Sequence, residues 1–245
     1  MPDSRLLTLI GGGALVIAVI IAAVAALIGL SVPLAILLAL VVAAVVGVLV
    51  YRLSGARAAD MLHARPLVPG EQPRLDNLLD VLCVNNGYER PDVMRIDSAA
   101  RNSAVLTRNG ATTVVITDGL LGSLDYMALE ALLAHQLAAG SQSDLDYRSR
   151  MLGLVSLLPG SMQDRVADAM IDQPPVFETD LEAAQVTRYP PGQVELFTAL
   201  AEGDNRVGGV SEAGAGLWLA NPLGAHAGGV PHPALEDRIA FMREV

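Results

Sequence analysis

The sequence predicts a helix-rich α+β body with one small β-sheet, placed behind an N-terminal transmembrane helical hairpin. Three observations lead there. Of 245 residues, 52% are hydrophobic and 17% charged, and the mean hydropathy of +0.45 is too high for an ordinary soluble domain of this length. The apolar excess is concentrated before residue 53, beyond which 25 acids stand against 14 arginines. Within that acidic remainder, stretches of helical period dominate and β-branched runs are few and short.

The hairpin comes first. Leu7 to Leu30 is a run of 24 uncharged residues, and a helix of that length rises about 36 Å, more than the roughly 30 Å hydrocarbon core. Ser31, Val32 and Pro33 interrupt it, and a second apolar run from Leu34 to Tyr51 follows at once. A proline fits the first turn of a new helix, where its missing N–H costs nothing. A signal peptide is the competing reading, disfavoured because the first run exceeds a typical h-region and a second span follows directly. Arg5 precedes the first span, Arg52, Arg57 and Arg65 follow the second, and the turn has none. The positive-inside rule therefore predicts a multi-pass protein of the cell membrane with both termini and the body in the cytoplasm. Small residues (Gly11 to Gly13, Ala22, Ala23, Ala25, Ala26, Ala43, Ala44, Gly47) allow close helix packing within the hairpin or between chains.

Three segments are expected: the hairpin over 1–53, a linker over 54–73 marked by Pro66, Pro69, Gly70 and Pro73, and the body over 74–245. In the body, Leu75, Leu78, Leu79, Leu82 and Cys83 recur at helical spacing, and Asn86-Gly87 stops that helix. Pro91 to Ile96 and Thr112 to Thr117 read as strands, with Asn109-Gly110 placed for a hairpin turn. A core helix spans about 125–139. Residues 151–158 are apolar but too short to span, and fit either a core helix or a segment grazing the membrane surface. Helices are expected over 161–171, 177–187 and 192–202, then a long glycine-rich loop from Gly203 to Gly229, then a short helix from Ala234.

Composition excludes several functions. All 16 basic residues are arginine, and 26 acids give a net charge of −10, which argues against a nucleic-acid partner. A lone Cys83 excludes an intrachain disulfide and any paired-cysteine zinc or redox motif. No G-x-x-x-x-G-K-[ST] loop is possible without lysine, Ser103, Ser123, Ser141 and Ser143 lack a nucleophile elbow, and Cys83 has no histidine partner in view.

The chemistry-bearing segment is Glu130-Ala-Leu-Leu-Ala-His135-Gln136-Leu137-Ala138-Ala139. It has the frame of a helix on which two histidines four apart grip zinc and the glutamate after the first acts as general base. Only His135 is present; Gln136 stands for the base and Ala139 for the second ligand.

Across about residues 74 to 245 the order of elements resembles the HtpX-like membrane zinc metallopeptidases, related to the CAAX prenyl proteases. The resemblance rests on Pro91 with Val93 to Ile96, Asn102-Ser103-Ala104, Val114 to Thr117 running into Gly119-Leu120-Leu121, the His135 helix, and Asp144. It continues through Val176-Phe177-Glu178-Thr179-Asp180 with Ala183-Ala184 and Ala199-Leu200, to His232-Pro233 and Arg238-Ile239. The N-terminal hairpin matches as well, whereas the second pair of spans carried by many members is absent, leaving only residues 145–175 between the metal helix and the third ligand. The resemblance implies a zincin-like metallopeptidase domain, zinc, and a third ligand, a glutamate four residues before an aspartate. Asp180 fits that aspartate, and Val176 falls where the ligand belongs.

Of three ligands and one base, the resemblance thus assigns His135, Ala139, Val176 and Gln136, one of four intact. A catalytic zinc needs three protein ligands plus water. The expectation is therefore a membrane-anchored pseudoprotease with no intact catalytic residue, no cofactor and His135 as the only retained ligand type. Its role would be binding or regulatory, in membrane protein quality control. Its partners would be the bilayer and a polypeptide held by strand addition in a cleft near Gly119 to Leu121 and the His135 helix. One alternative is an active zinc endopeptidase with an irregular site drawn from His135, Glu178, Asp180, Asp144, His226 or His232; another is a structural membrane subunit. The arginine-only, alanine- and valine-rich composition fits a bacterial, GC-rich source.

Overall fold

The computed structural model describes residues 2–60, 62–68, 70–108, 110–170, 174–224 and 232–245. Two apolar helices, α1 (Pro2–Leu27) and α2 (Val32–Asp60), form the expected hairpin. Gly29, at φ +86°, allows the tight turn between them. Alanines make the seam: Ala18, Ala39 and Ala43 are buried together with Ala14 and Ala22 against them, because a methyl is small enough for two helices to approach closely. The bulkier Leu15, Val19, Ile20, Leu37 and Val48 point outward, as they must where lipid replaces water. A Cβ added at Gly11, Gly12 or Gly13 would meet no described atom within 4 Å. The second helix runs on to Asp60, and Arg65–Pro66 form strand β1, so the segment expected as a linker from residue 54 begins as helix and ends in the sheet.

Next come α3 (Pro73–Asn86), β2 (Asp92–Ile96), β3 (Ser103–Arg108), β4 (Ala111–Thr117), α4 (Asp118–Ser123), α5 (Tyr126–Gly140), α6 (Leu145–Val155) and α7 (Gly160–Met170). They are followed by α8 (Val176–Thr187), α9 (Pro190–Ala201), a 3₁₀ helix (Glu212–Leu217) and α10 (Leu235–Glu244). The sheet runs in the order β1-β2-β4-β3, with β2 parallel to β4 and the other two pairs antiparallel. Arg108 faces Ala111 across a two-residue turn, whose Gly110 has φ +86°; Asn109 lies outside the described residues.

Strand β3 is absent from the expected elements for a physical reason. Five of its six residues are buried, so both faces are covered and no apolar-polar alternation shows. The turn Gly119-Leu120-Leu121 does not extend a strand: it is the helical α4, where a Cβ on Gly119 would collide with the Ala99 and Ala100 carbonyls. Helix α6 starts six residues before the apolar run at 151, since Tyr147, Arg148 and Arg150 are buried with it. Its arginines are neutralised one turn away, Arg148 by Asp144 at 3.1 Å and Arg150 by Asp146 at 2.7 Å.

The body docks firmly on the hairpin. Gly153 of α6 lies so close to the Ser54 carbonyl that a Cβ would overlap it. Arg150 donates to the Tyr51 carbonyl at 2.9 Å, with its guanidinium 4.1 Å above the Tyr51 ring. The main core gathers α3, the sheet, α5 and α9, with Leu132, Leu133, Ile116, Leu106, Leu196 and Phe197 all essentially inaccessible.

A buried histidine on the inner helix

Helix α5 is buried continuously from Ala131 to Ala138, the mark of a helix apolar all round. Its first turn is fixed by Asp125, whose carboxylate accepts from the Ala128 N–H at 2.8 Å. This holds His135 in the centre of the body. The imidazole Nε2 meets Asp180 Oδ1 on α8 at 3.0 Å. Asp180 is held in turn by a two-pronged contact from Arg238 on α10, Nε to Oδ2 at 2.8 Å and Nη2 to Oδ1 at 2.6 Å. Arg238 also donates to the Leu219 carbonyl at 2.6 Å and lies 4.1 Å above the Phe197 ring.

Electrostatics fixes the protonation of this cluster. Burial pushes the His135 imidazole below its ordinary pKa, and the Asp180 hydrogen bond only partly offsets it. Burial alone would raise Asp180, but the hydrogen bonds from His135 and Arg238, with the Arg238 charge, hold it below the usual carboxylate range. The cluster is thus a neutral imidazole beside a compensated Asp180⁻/Arg238⁺ pair. With Nε2–H donated to Asp180, the other ring nitrogen, Nδ1, is an acceptor with no hydrogen-bond partner among the described residues.

Four positions singled out in the sequence meet here. His135, Gln136, Ala139 and Val176 line one small cavity of about 40 Å³. The Gln136 Oε1 is buried and, like His135 Nδ1, has no hydrogen-bond partner among the described residues. The cavity is roofed by the chain from Gly216 to Leu219. Ala104 of β3 bridges to Trp218, and Leu219 N–H donates to the Ser103 carbonyl at 2.7 Å. The Thr107 N–H is taken by Ser149 Oγ at 2.9 Å. The edge of the sheet beside His135 is therefore already paired within the chain.

This roof corrects two expectations. Gly203 to Gly229 was expected as a loop with little structure of its own, yet Asn102 anchors its described part. The Asn102 amide donates to the Asn205 and Ala220 carbonyls, both at 2.9 Å, and its Oδ1 accepts from the Ala220 N–H at 3.1 Å. Gly119 to Leu121, expected beside the same cleft, do not line the His135 cavity, and Gly119 packs on the 98–101 loop.

The other candidate ligands are not gathered. Glu178 is exposed on α8, Asp144 pairs with Arg148, His232 donates Nε2–H to the Trp218 carbonyl at 2.8 Å, and His226 lies outside the described residues. Among the described residues, no group of three His, Cys, Asp or Glu side chains stands where it could hold a metal. Cys83 is buried in the α3 face of the core. Asn102 and Arg238 were legible only as parts of a pattern; a buried role for them had no local signal.

An apolar hairpin is joined to a helix-rich body, with a buried histidine on an inner helix backed by an aspartate, the arrangement that a resemblance to membrane peptidases implies. Comparison with known proteins agrees. The chain is similar to proteins named "Protease HtpX homolog" from three bacteria. One is from Tropheryma whipplei, 26% identical with 80% of each chain covered, and another from Acidiphilium cryptum, 27% identical with 80% and 82% covered. A third, from Dictyoglomus thermophilum, is 24% identical with 71% and 69% covered. No family model and no solved structure matches. Over most of its length the chain is thus similar to the HtpX-like family of proteases.

Proposed function

We propose that the chain is a membrane-anchored pseudoprotease of this family, with a binding or regulatory role in membrane protein quality control and no catalytic zinc. The observation that carries this reading is the lining of the His135 cavity. The positions matching the family's three zinc ligands and base converge there as one imidazole, one amide, one methyl and one isopropyl group. That donor set does not fit zinc, which needs three protein ligands. The His135 Nε2 is already engaged, by Asp180 at 3.0 Å with the Arg238 guanidinium 3.3 Å away. An amide at Gln136 cannot take a proton from water, so no hydrolytic step is available through these residues.

In this reading the hairpin, residues 1–53, crosses the cell membrane twice, and the body, 74–245, lies in the cytoplasm beyond a 54–73 connector. Arginines at both cytoplasmic ends support this orientation. A polypeptide partner would reach the old cleft only by displacing the 216–219 segment, since β3 is already paired.

Elemental analysis of the purified full chain, with casein cleavage measured with and without chelator, tests the proposal. Substoichiometric zinc and no chelator-sensitive cleavage are expected. The triple variant Gln136→Glu, Ala139→His, Val176→Glu is expected to take up about one zinc per chain, the three-protein-ligand requirement being met. Near-equimolar zinc in the unaltered chain would overturn the reading and restore the endopeptidase.

A further inference from the structure

The turn between α6 and α7 occupies an unexpected depth. Leu158, Val166 and Met170 line one apolar cavity of about 270 Å³ with Ile17 of α1 and Val46 of α2. Val46 lies six residues inside Arg52, about 9 Å along the helix, and Ile17 lies twelve inside Arg5, about 18 Å. If the hairpin spans the bilayer, as proposed above, both are inside the hydrocarbon layer, and the cavity wall that α6 and α7 supply reaches from there to Ile10 and Val50 near the charged ends.

The turn is built for that medium. From Met151 to Gln163 there is no charged residue. Leu157 and Met162, at its tip, are 52% and 50% exposed. Several of its polar groups are satisfied internally, as lipid requires. Ser156, Leu157 and Leu158 N–H groups bond back to Leu152, Leu154 and Val155, and Met162 N–H to Pro159. Ser156 Oγ donates to the Gly153 carbonyl at 2.7 Å, and Gln163 Nε2 to the Leu158 carbonyl at 2.8 Å. On α7, Val166 and Met170 face the cavity while Arg165 is exposed on another side, a distribution suited to a helix lying at the headgroup level.

We propose that residues 151–163 form a third membrane contact, a half-depth hairpin seated in the leaflet that holds the charged ends of α1 and α2. Lipid acyl chains cover Leu157 and Met162 and enter the apolar cavity between the turn and the spans. The surface is continuous with the lipid-facing sides of the spans, which is why the occupant is lipid.

The test places an environment-sensitive fluorophore on single cysteines, Leu157→Cys and Met162→Cys, in a Cys83→Ala full chain reconstituted in phosphatidylcholine–phosphatidylglycerol vesicles. Ile20→Cys serves as the control for the span, and Val84→Cys, on a face 82% exposed, as the control for water. Labels at 157 and 162 are expected to be quenched by nitroxide-bearing lipids and several-fold less by aqueous iodide than the label at 84. Iodide access at 157 and 162 with protection at 20 would overturn the proposal and leave the hairpin standing. Iodide access at 20 as well would overturn both. Protection from both quenchers at 157 and 162 would overturn it in favour of a protein neighbour. Independently, a photoactivatable lipid added to the unaltered chain is expected to leave adducts on the 151–163 peptide. Adducts confined to residues 7–51 would overturn the proposal without any substitution.

Discussion

Asp180 is the residue whose removal tests the electrostatic account of the cluster most directly. It is 0% exposed, and its two oxygens receive both prongs of Arg238, itself 1% exposed, and the His135 N–H. Asp180→Ala leaves a guanidinium buried without a counter-charge and two of its donors unpaired. Breaking one side of a buried pair costs about 3–5 kcal/mol. For a chain of this size that is a drop of about 6–20 °C in melting temperature. The pair's net worth is a different quantity, because its formation already includes the cost of desolvating both ions. Asp180→Leu combined with Arg238→Met is therefore expected to recover most of the loss, to within about 1–2 kcal/mol of the unaltered chain. Thermal unfolding of the full chain in detergent, followed by circular dichroism, measures both. An Asp180→Ala protein that melts with the parent, or a double variant no better than the single one, would refute the reasoning.

Other consequences are open to measurement. Burial pushes His232 down to about 4 from an ordinary 6.5, so between those values the unfolded chain binds the extra proton. Stability from this group is full above about pH 6.5 and falls by about 3 kcal/mol as pH drops toward 4, and His232→Phe should flatten that part of a melting-temperature profile. Gly119→Ala pushes a methyl into two backbone carbonyls that cannot swing aside, and a loss of about 1–3 kcal/mol is expected in denaturant titration. Asn102→Ala removes the anchor of the 203–224 segment and leaves buried backbone groups unpaired. It should cost about 2–4 kcal/mol and open Arg206 to trypsin, read by the appearance of a fragment cut there.

What the sequence disclosed, and what it hid, divides along physical lines. The hairpin was plain because lipid demands an unbroken apolar run, and α3 and α5 were plain because their apolar residues recur at helical spacing. Strand β3 was hidden by burial on both faces, and the start of α6 by arginines whose partners lie one turn away. At the site, His135, Gln136 and Ala139 were named from their places on a helix and Val176 from the resemblance, and all four line one cavity. The place of Arg238 was not legible, since its charge is cancelled by Asp180, 58 positions away, and no window of sequence contains both. The 203–224 segment misled for a similar reason: glycines suggested slack, while the hydrogen bonds that fix it come from Asn102, more than a hundred residues earlier.

Trp218 is the only tryptophan in the chain, and it sits in the segment that roofs the His135 cavity and bridges to Ala104 at the sheet edge. Its indole is 5% exposed. Any event that lifts this segment carries the sole indole chromophore from a dry interior toward water. The protein's tryptophan emission, excited beyond the absorption of its five tyrosines, is therefore a built-in gauge of whether the roof is shut, readable without a label.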